Sequence, residues 1–357
     1  MKHLVVAAAG TGGHVMPGLA VAETLRQRGW SVSWLGTHVG MERGLVERHD
    51  IAFDAIDFSG LRGKGLKTLA FGGFLLLRAF WQARRLLRAR APRVVFSTGG
   101  YVAVPVGMAA GTLGLPLVLM NSDADTLLST KALMPLASGV LCGFDGSAAR
   151  AAGDKGLVTG NPVRAAIAAI APPDQRYAGR SGALTLLVVG GSLGAQVLNE
   201  TVPAALALLP PERRPLVVHQ CGAKHVDAVR AAYASAGVTA DIVPFIDDIA
   251  ARYAQADVVL CRAGAITVAE LAAAGIAAIL VPLLAKTTQH QRGNADFLAQ
   301  RGAALHLPQS ELTLQRLAHE LDGLTRQRLL DIARAARALG RSDATDTVAA
   351  VIEKVAA

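Results

Sequence analysis

At 357 residues the chain is longer than one core ordinarily supports, so two domains of common size are expected. A hydrophobic fraction of 52% with only 4% aromatics leaves the packing to Ala, Val and Leu, which suits sheets covered on both faces by helices and excludes a disordered chain. The formal charge of +9 is unevenly placed: from Phe58 to Ser122 there is no Asp or Glu, while Arg62, Lys64, Lys67, Arg78, Arg84, Arg85, Arg88, Arg90 and Arg93 all fall there.

The N-terminus has Lys2 and then only Leu4 to Ala9 before a glycine cluster, too short for the apolar region of a signal peptide. That run reads as a first strand. It enters Gly10-Thr11-Gly12-Gly13-His14, and Pro17 sits where the first turn of a helix ending at Gly29 would place it. A second strand, Ser31 to Leu35, ends in Gly36-Thr37-His38. An NAD or FAD enzyme would want G-x-G-x-x-G in the first turn and an acid near the end of the second strand, and both are missing, so a dehydrogenase is disfavoured.

Between Lys67 and Arg90, Leu76, Phe80, Ala83 and Leu87 form a helical stripe expected to face the core, with Phe71, Phe74, Leu75 and Trp81 additional to it. Large apolar groups beside Arg78, Arg84, Arg85 and Arg88 suit an anionic membrane surface, where each cation is worth about 1 kcal/mol. A solvated helix face is the plainer alternative; nucleic acid lacks support from fold pattern or aromatic interleaving. Next, Val94 to Ser97 meets Gly99-Gly100-Tyr101. Val102 to Met120 then carries no charge, but Gly114-Leu115-Pro116 divides it into a buried helix, a glycine stop and a buried strand rather than a membrane span.

A domain boundary is expected near Gly160-Asn161-Pro162, before the proline-rich stretch around Pro172-Pro173. Beyond it the opening repeats: Leu184 to Val189 runs into Gly190-Gly191-Ser192-Leu193-Gly194-Ala195 and a helix that stops before Pro210-Pro211. Val258 to Cys261 likewise meets Ala263-Gly264-Ala265, followed by a run to Leu284 whose only charge is Glu270 and which Gly275 and Pro282 divide as before. Alternating strands and helices with short glycine-rich connections imply two doubly wound parallel α/β sheets. Amphipathic helices, roughly Thr325 to Leu339 and Thr345 to Val355, end the chain, and the last is expected to pack back on the first half. Cys142, Cys221 and Cys261 lie far apart without CxxC pairing, which points to a reduced cytosol and to neither disulfides nor zinc.

Glycine after a strand lets backbone N–H groups approach a ligand, and the following helix N-terminus favours an anion, so phosphate binding is the natural use of these turns. Tight strand-to-helix turns also use glycine with no ligand at all. Glu270 would accept both hydroxyls of a ribose whose phosphates face the helix start; alternatively Thr267-Val-Ala-Glu270 is a capping box. His14 would act as a base for a hydroxyl nucleophile, or is a solvent-exposed loop histidine. Arg164 would pair with a diphosphate, or is a surface charge.

The ordered motifs GTGGHVMPG (10–18), SGLRGKG (59–65), TGGYV (98–102), GNPVR (160–164), VVGGSLGA (188–195), FIDD (245–248), CRAGAITVAE (261–270) and HQRGNA (290–295) resemble the MurG-type transferases along essentially the whole chain. The resemblance implies transfer of N-acetylglucosamine from UDP-N-acetylglucosamine to the C4 hydroxyl of undecaprenyl-linked N-acetylmuramoyl-pentapeptide in peptidoglycan synthesis, a pathway that sets cell shape and serves division. It implies a GT-B fold: an acceptor- and membrane-facing Rossmann-like domain over 1–163, to which a helix at about 341–357 returns, facing a donor domain over 164–340 across a cleft. In the donor domain Ile246 would meet the uracil region, Ala265, Ile266, Thr267, Val268, Ala269 and Glu270 the diphosphate and ribose, and Ser192 and Arg164 the phosphates. Gln291 and Asn294 would contact the sugar. Thr11, Gly12 and Gly13 count among the donor-binding positions and, with His14 as candidate base and Tyr101, line the acceptor side. No metal or other cofactor is expected. Partners would be both substrates, the anionic inner-membrane surface on its cytoplasmic side and other cell-wall synthesis proteins, with no nucleic acid. Members of the family carry His-Glu-Gln-Asn where this chain has Met120-Asn121-Ser122-Asp123, so no role is carried onto these four. Ala9 for Gly and Ala263 for Ser are milder changes that should leave the loops intact. A UDP-N-acetylglucosamine 2-epimerase and a non-catalytic nucleotide-sugar or lipid-binding protein are the alternatives.

Overall fold

A computed structural model describes residues 2–10, 12–38, 40–59, 66–191, 194–283 and 290–357, with backbone only over 66–71. The chain divides into two compact units, one of Met1–Arg164 with Asp343–Ala357 and one of Ala165–Ser342.

In the first unit the strands are β1 (His3–Ala8), β2 (Ser31–Thr37), β3 (Ala52–Ile56), β4 (Val94–Gly99), β5 (Leu117–Asn121), β6 (Gly139–Cys142) and β7 (Gly156–Val158). They form one parallel sheet in the order β3-β2-β1-β4-β5-β6-β7. Strands buried on both faces need apolar side chains at every position, and β4 and β5 are buried throughout. Alternate residues of β1 serve opposite layers. Val5 and Ala7 join Ala79, Ala83 and Leu87 of the helix Leu66–Arg90, while Leu4, Val6 and Ala8 join Val15, Leu19 and Ala22 of the helix Gly12–Gln27. Gly18 allows the closest approach there, since a Cβ would lie 2.6 Å from the buried Trp34 ring.

The C-terminal helix Ala344–Val355 belongs to this second layer through Val348, Ala349 and Ile352. Arg28 pairs with Asp346 at 2.6 Å and Glu353 at 2.8 Å, and Thr345 Oγ1 donates to the Val163 carbonyl at 3.1 Å.

The strands of the second unit are β8 (Thr185–Val189), β9 (Leu216–Gln220), β10 (Ala240–Val243), β11 (Val258–Cys261), β12 (Ala278–Leu280) and β13 (Leu305–His306). Their order is β10-β9-β8-β11-β12-β13, again parallel, so the first four strands of each unit repeat one topology. In both units the strand order reverses between the first and fourth strands, and ligands of doubly wound sheets bind at the carboxyl ends there. All four glycine-rich turns lie at those ends: after β1 and β4 in one unit, after β8 and β11 in the other.

Candidate functional site

In the first unit the switch-point turns touch through glycine. Gly10 has φ +110°, Gly99 +107° and Gly100 +79°, all left-handed backbone, and a Cβ on Gly100 would run into the Ala9 carbonyl. A Cβ on Gly99 would lie 2.9 Å from His14 Nδ1. That space is taken by the imidazole, whose Nδ1 lies 2.9 Å from the Thr98 carbonyl oxygen, while Thr98 Oγ1 donates to the His14 carbonyl at 2.6 Å. His14 thus bridges β1 and β4 at their carboxyl ends. Burial holds its pKa below the ordinary 6.5, against the Thr98 carbonyl and the Asp123 carboxylate, which favour the charged form. Tyr101 is half-buried; its ring and that of His14 are the two groups nearest to where a Gly10 Cβ would be. Gly12 and Gly13 open the helix Gly12–Gln27; Thr11 is outside the described residues.

The Met120-Asn121-Ser122-Asp123 stretch lies at the same edge, where β5 ends. Asn121 is fully buried: its Nδ2 donates to the carbonyls of Asp123 and Asp125 at 2.7 and 3.0 Å, and its Oδ1 accepts from the Leu127 amide at 2.9 Å. The amide therefore staples the loop that carries Asp123, and Asp123 is the acid acting on His14. Sequence reasoning gave neither residue a role.

In the second unit, Gly190 donates its amide to the Gln220 carbonyl at 3.1 Å, Gln220 Nε2 donates to the Gly191 carbonyl at 3.1 Å, and a Cβ on Gly194 would meet the Cys221 backbone. The end of β9 thus shapes the turn after β8. Ser192 is outside the described residues. The turn after β11 starts the helix Ala265–Ala274 from Gly264, which offers no side chain to the first amides. The Val268 amide bonds back to Gly264 at 2.9 Å, so the N–H groups of Ala265, Ile266 and Thr267 precede the helical ladder and point out of the helix start.

This start corrects the capping-box reading. Thr267 is the third helical residue, not the cap, so Glu270 does not close a box on it. Glu270 is buried, together with Val268, and Ala269 is half-buried. Asn294, fully buried on the helix His290–Ala299, donates to the Ala263 carbonyl at 3.1 Å and so adjoins this turn, while Gln291 Oε1 accepts from the Leu283 amide at 2.8 Å. Arg262 closes the same edge, donating to Gln309 Oε1 at 2.7 Å and to the Val281 and Pro282 carbonyls. Ile246 is buried on the loop after β10, and Asp248 caps the next helix through the Ala251 amide at 3.0 Å. Arg164, half-buried, is the last residue of the first unit's main segment.

Along the helix Leu66–Arg90, Phe74, Leu77 and Trp81 are 65%, 54% and 58% exposed. Leu75 differs from them: it is half-buried and packs against the core, as do Leu76 and Phe80. Phe80 meets Trp81 edge to face at 5.4 Å. Arg78 pairs with Asp57 at 2.7 Å, Arg84 donates to Thr112 Oγ1 at 2.6 Å, Arg90 pairs with Asp54, and Arg85 and Arg88 are exposed. The side chain of Phe71 is outside the described residues.

Residues 4–142 match the glycosyltransferase family 28 N-terminal domain, and residues 185–351 the glycosyltransferase family 28 C-terminal domain. A protein of Herminiimonas arsenicoxydans named UDP-N-acetylglucosamine--N-acetylmuramyl-(pentapeptide) pyrophosphoryl-undecaprenol N-acetylglucosamine transferase is 59% identical over 355 residues, 99% of each chain. One of the same name from Janthinobacterium sp. (strain Marseille) is 56% identical over 355 residues, again 99% of each. Among solved structures, Acinetobacter baumannii MurG superposes with a TM-score of 0.83 at 38% identity, over 99% of this chain and 100% of that one.

Proposed function

Because the chain belongs to glycosyltransferase family 28, and within it to the MurG-type GT-B transferases, we propose that it moves N-acetylglucosamine from UDP-N-acetylglucosamine to the C4 hydroxyl of undecaprenyl-linked N-acetylmuramoyl-pentapeptide. The acceptor hydroxyl attacks the anomeric carbon on the side opposite UDP, so the configuration inverts. His14 Nε2 takes the hydroxyl proton as the new C–O bond forms. The bond between the anomeric carbon and the diphosphate oxygen breaks, and its electron pair leaves with UDP. The amides of Ala265, Ile266 and Thr267, the Gly190–Ala195 turn with Ser192, and Arg164 meet the charge that grows on the diphosphate, so no metal is required. Glu270 takes the ribose hydroxyls, Ile246 the uracil, and Gln291 and Asn294 the sugar. Thr11, Gly12, Gly13 and Tyr101 line the turn beside His14.

The observation that carries the base assignment is the Thr98 carbonyl on His14 Nδ1, which leaves the ring's other nitrogen as the acceptor. Labelled N-acetylglucosamine transferred to the lipid-linked acceptor by the wild-type protein, and at least about 100-fold more slowly by His14→Ala, is the expected result. Unchanged turnover in the variant would remove His14 as base.

Among the described residues no helix is long and apolar enough to cross a membrane. The protein meets the cytoplasmic face of the inner membrane peripherally, through Phe74, Leu77 and Trp81 with Arg85 and Arg88 beside them. Three large apolar side chains exposed on one helix, beside the exposed Arg85 and Arg88, support that reading.

A further inference from the structure

Glu42, a buried acid, has no part in the mechanism so far. It opens the short helix Glu42–Glu47 and is 0% exposed. Its Oε1 accepts from the Thr37 amide at 3.0 Å and the Thr37 hydroxyl at 2.7 Å, and its Oε2 accepts from the Gly10 amide at 3.3 Å. Taking a carboxylate out of water is costly unless donors replace the water, and here three neutral donors do so. The chain also clears space for it. A Cβ on Gly36 would lie 3.0 Å from Glu42 Cγ, and one on Gly40 would run into the carboxylate itself.

The other end of this arrangement is the first substrate turn. Gly10 takes φ +110°, and the atoms nearest to where its Cβ would be are Tyr101 Cε1 at 3.7 Å and His14 Cδ2 at 4.0 Å. One residue therefore separates the buried acid from both rings of the acceptor side. A glycine turn has no side chains of its own to hold its backbone, so its shape must be imposed from outside.

We propose that Glu42 is a positioning residue for transfer: its carboxylate fixes the Gly10 amide, and with it the turn that sets the His14 and Tyr101 rings for the acceptor. It touches no substrate and acts through Gly10. The inference rests on the reading of His14 as base.

Glu42→Gln keeps the shape but replaces one accepting oxygen with a donating nitrogen, so one of the two tied segments is released. The full chain is compared with wild type for circular dichroism, UDP binding by calorimetry, and kcat and KM in the transfer assay. The variant is expected to fold, to bind UDP with wild-type affinity, and to lose kcat about 10- to 100-fold. In a His14→Ala background the same substitution should cause no further loss, because residues acting as one unit are not additive. Thr37→Val, which removes a single donor from Glu42, should give a smaller loss of the same kind and serves if Glu42→Gln does not fold. Wild-type kcat in a folded Glu42→Gln, a fully additive loss in the double variant, or a loss of UDP binding that parallels the loss of rate would each overturn the proposal. His14→Ala at full rate would remove the base and this inference together. Glu42→Gln at full rate beside an impaired His14→Ala would sink this inference alone.

Discussion

His14 and Thr98 are tied by two hydrogen bonds running in opposite directions: imidazole Nδ1 to the Thr98 carbonyl at 2.9 Å, and the Thr98 hydroxyl to the His14 carbonyl at 2.6 Å. A carbonyl only accepts, so Nδ1 carries the proton and the neutral ring keeps its lone pair on Nε2. Burial lowers the His14 pKa below 6.5. A base works deprotonated, so kcat/KM should be flat above that lowered value and fall tenfold per pH unit below it. The acid limb should have its midpoint under pH 6.5 and disappear in His14→Ala. A midpoint above 6.5, or a limb that persists in the variant, would point to another group.

Asp123 raises the proton affinity of His14 from the loop that Asn121 staples. Asp123→Asn should therefore move the acid limb of the pH profile further down. The plateau should drop as well, because an imidazole with a lower pKa is a weaker base. A limb that moves up, or stays in place, would show that the carboxylate does not act on His14.

The strands and the glycine turns could be read from local sequence. Runs such as Leu4 to Ala9 and Val94 to Phe96 have apolar residues at every position, and a glycine follows each within three residues. What escaped was either long-range or dependent on where an element begins. Glu42 reaches Gly10 across 32 residues only because β2 lies beside β1, and nothing around it in sequence marks an acid that folding will bury. The Thr267-Val-Ala-Glu270 pattern fits a capping box as written, yet the helix starts three residues earlier, at the turn that follows β11. Asn121 looked like a lost carboxylate, whereas its amide both donates and accepts, which a carboxylate cannot do.

Glu270 lies in the second turn of a helix whose cap is Gly264, so its buried carboxyl is not needed for capping. Glu270→Gln should leave circular dichroism unchanged and weaken UDP binding by about 10-fold or more, the loss of a charged acceptor for two hydroxyls. Calorimetric titration with UDP reads this directly, and with UMP and uridine it separates ribose from phosphate contacts. Wild-type affinity for all three would take the ribose away from Glu270.

His219 on β9 is fully buried, and in its neutral form both ring nitrogens are hydrogen-bonded. Its Nε2 donates to Asn199 Oδ1 at 3.1 Å, and its Nδ1 accepts from the Tyr233 hydroxyl at 2.9 Å. Burial lowers its pKa to about 4, against 6.5 in the unfolded chain. The folded state thus binds fewer protons between those values, so the stabilisation is complete above pH 6.5 and is lost as pH falls toward 4, by roughly 3 kcal/mol. Urea unfolding at pH 7 and pH 4.5 should show the difference. His219→Phe should be less stable at pH 7, because Tyr233 and Asn199 lose their partner, but should depend less on pH. Equal pH dependence in both proteins would assign the effect elsewhere.

Phe74, Leu77 and Trp81 present their side chains to solvent, whereas Leu75 packs on the core, so the four neighbours should fail in different ways. Each apolar side chain moved from water is worth about 1.5 kcal/mol or more. Replacing the three exposed residues together by Ser should then weaken sedimentation with anionic vesicles at least about tenfold, with little change in unfolding temperature. Leu75→Ser should do the reverse, lowering stability while vesicle binding persists. Arg78 and Arg90 are occupied by Asp57 and Asp54, so the salt-sensitive part of the binding should follow Arg85 and Arg88, and substituting those two by Gln should flatten its dependence on ionic strength. If the triple Ser variant still binds vesicles like the wild type, this helix face is not what meets the membrane.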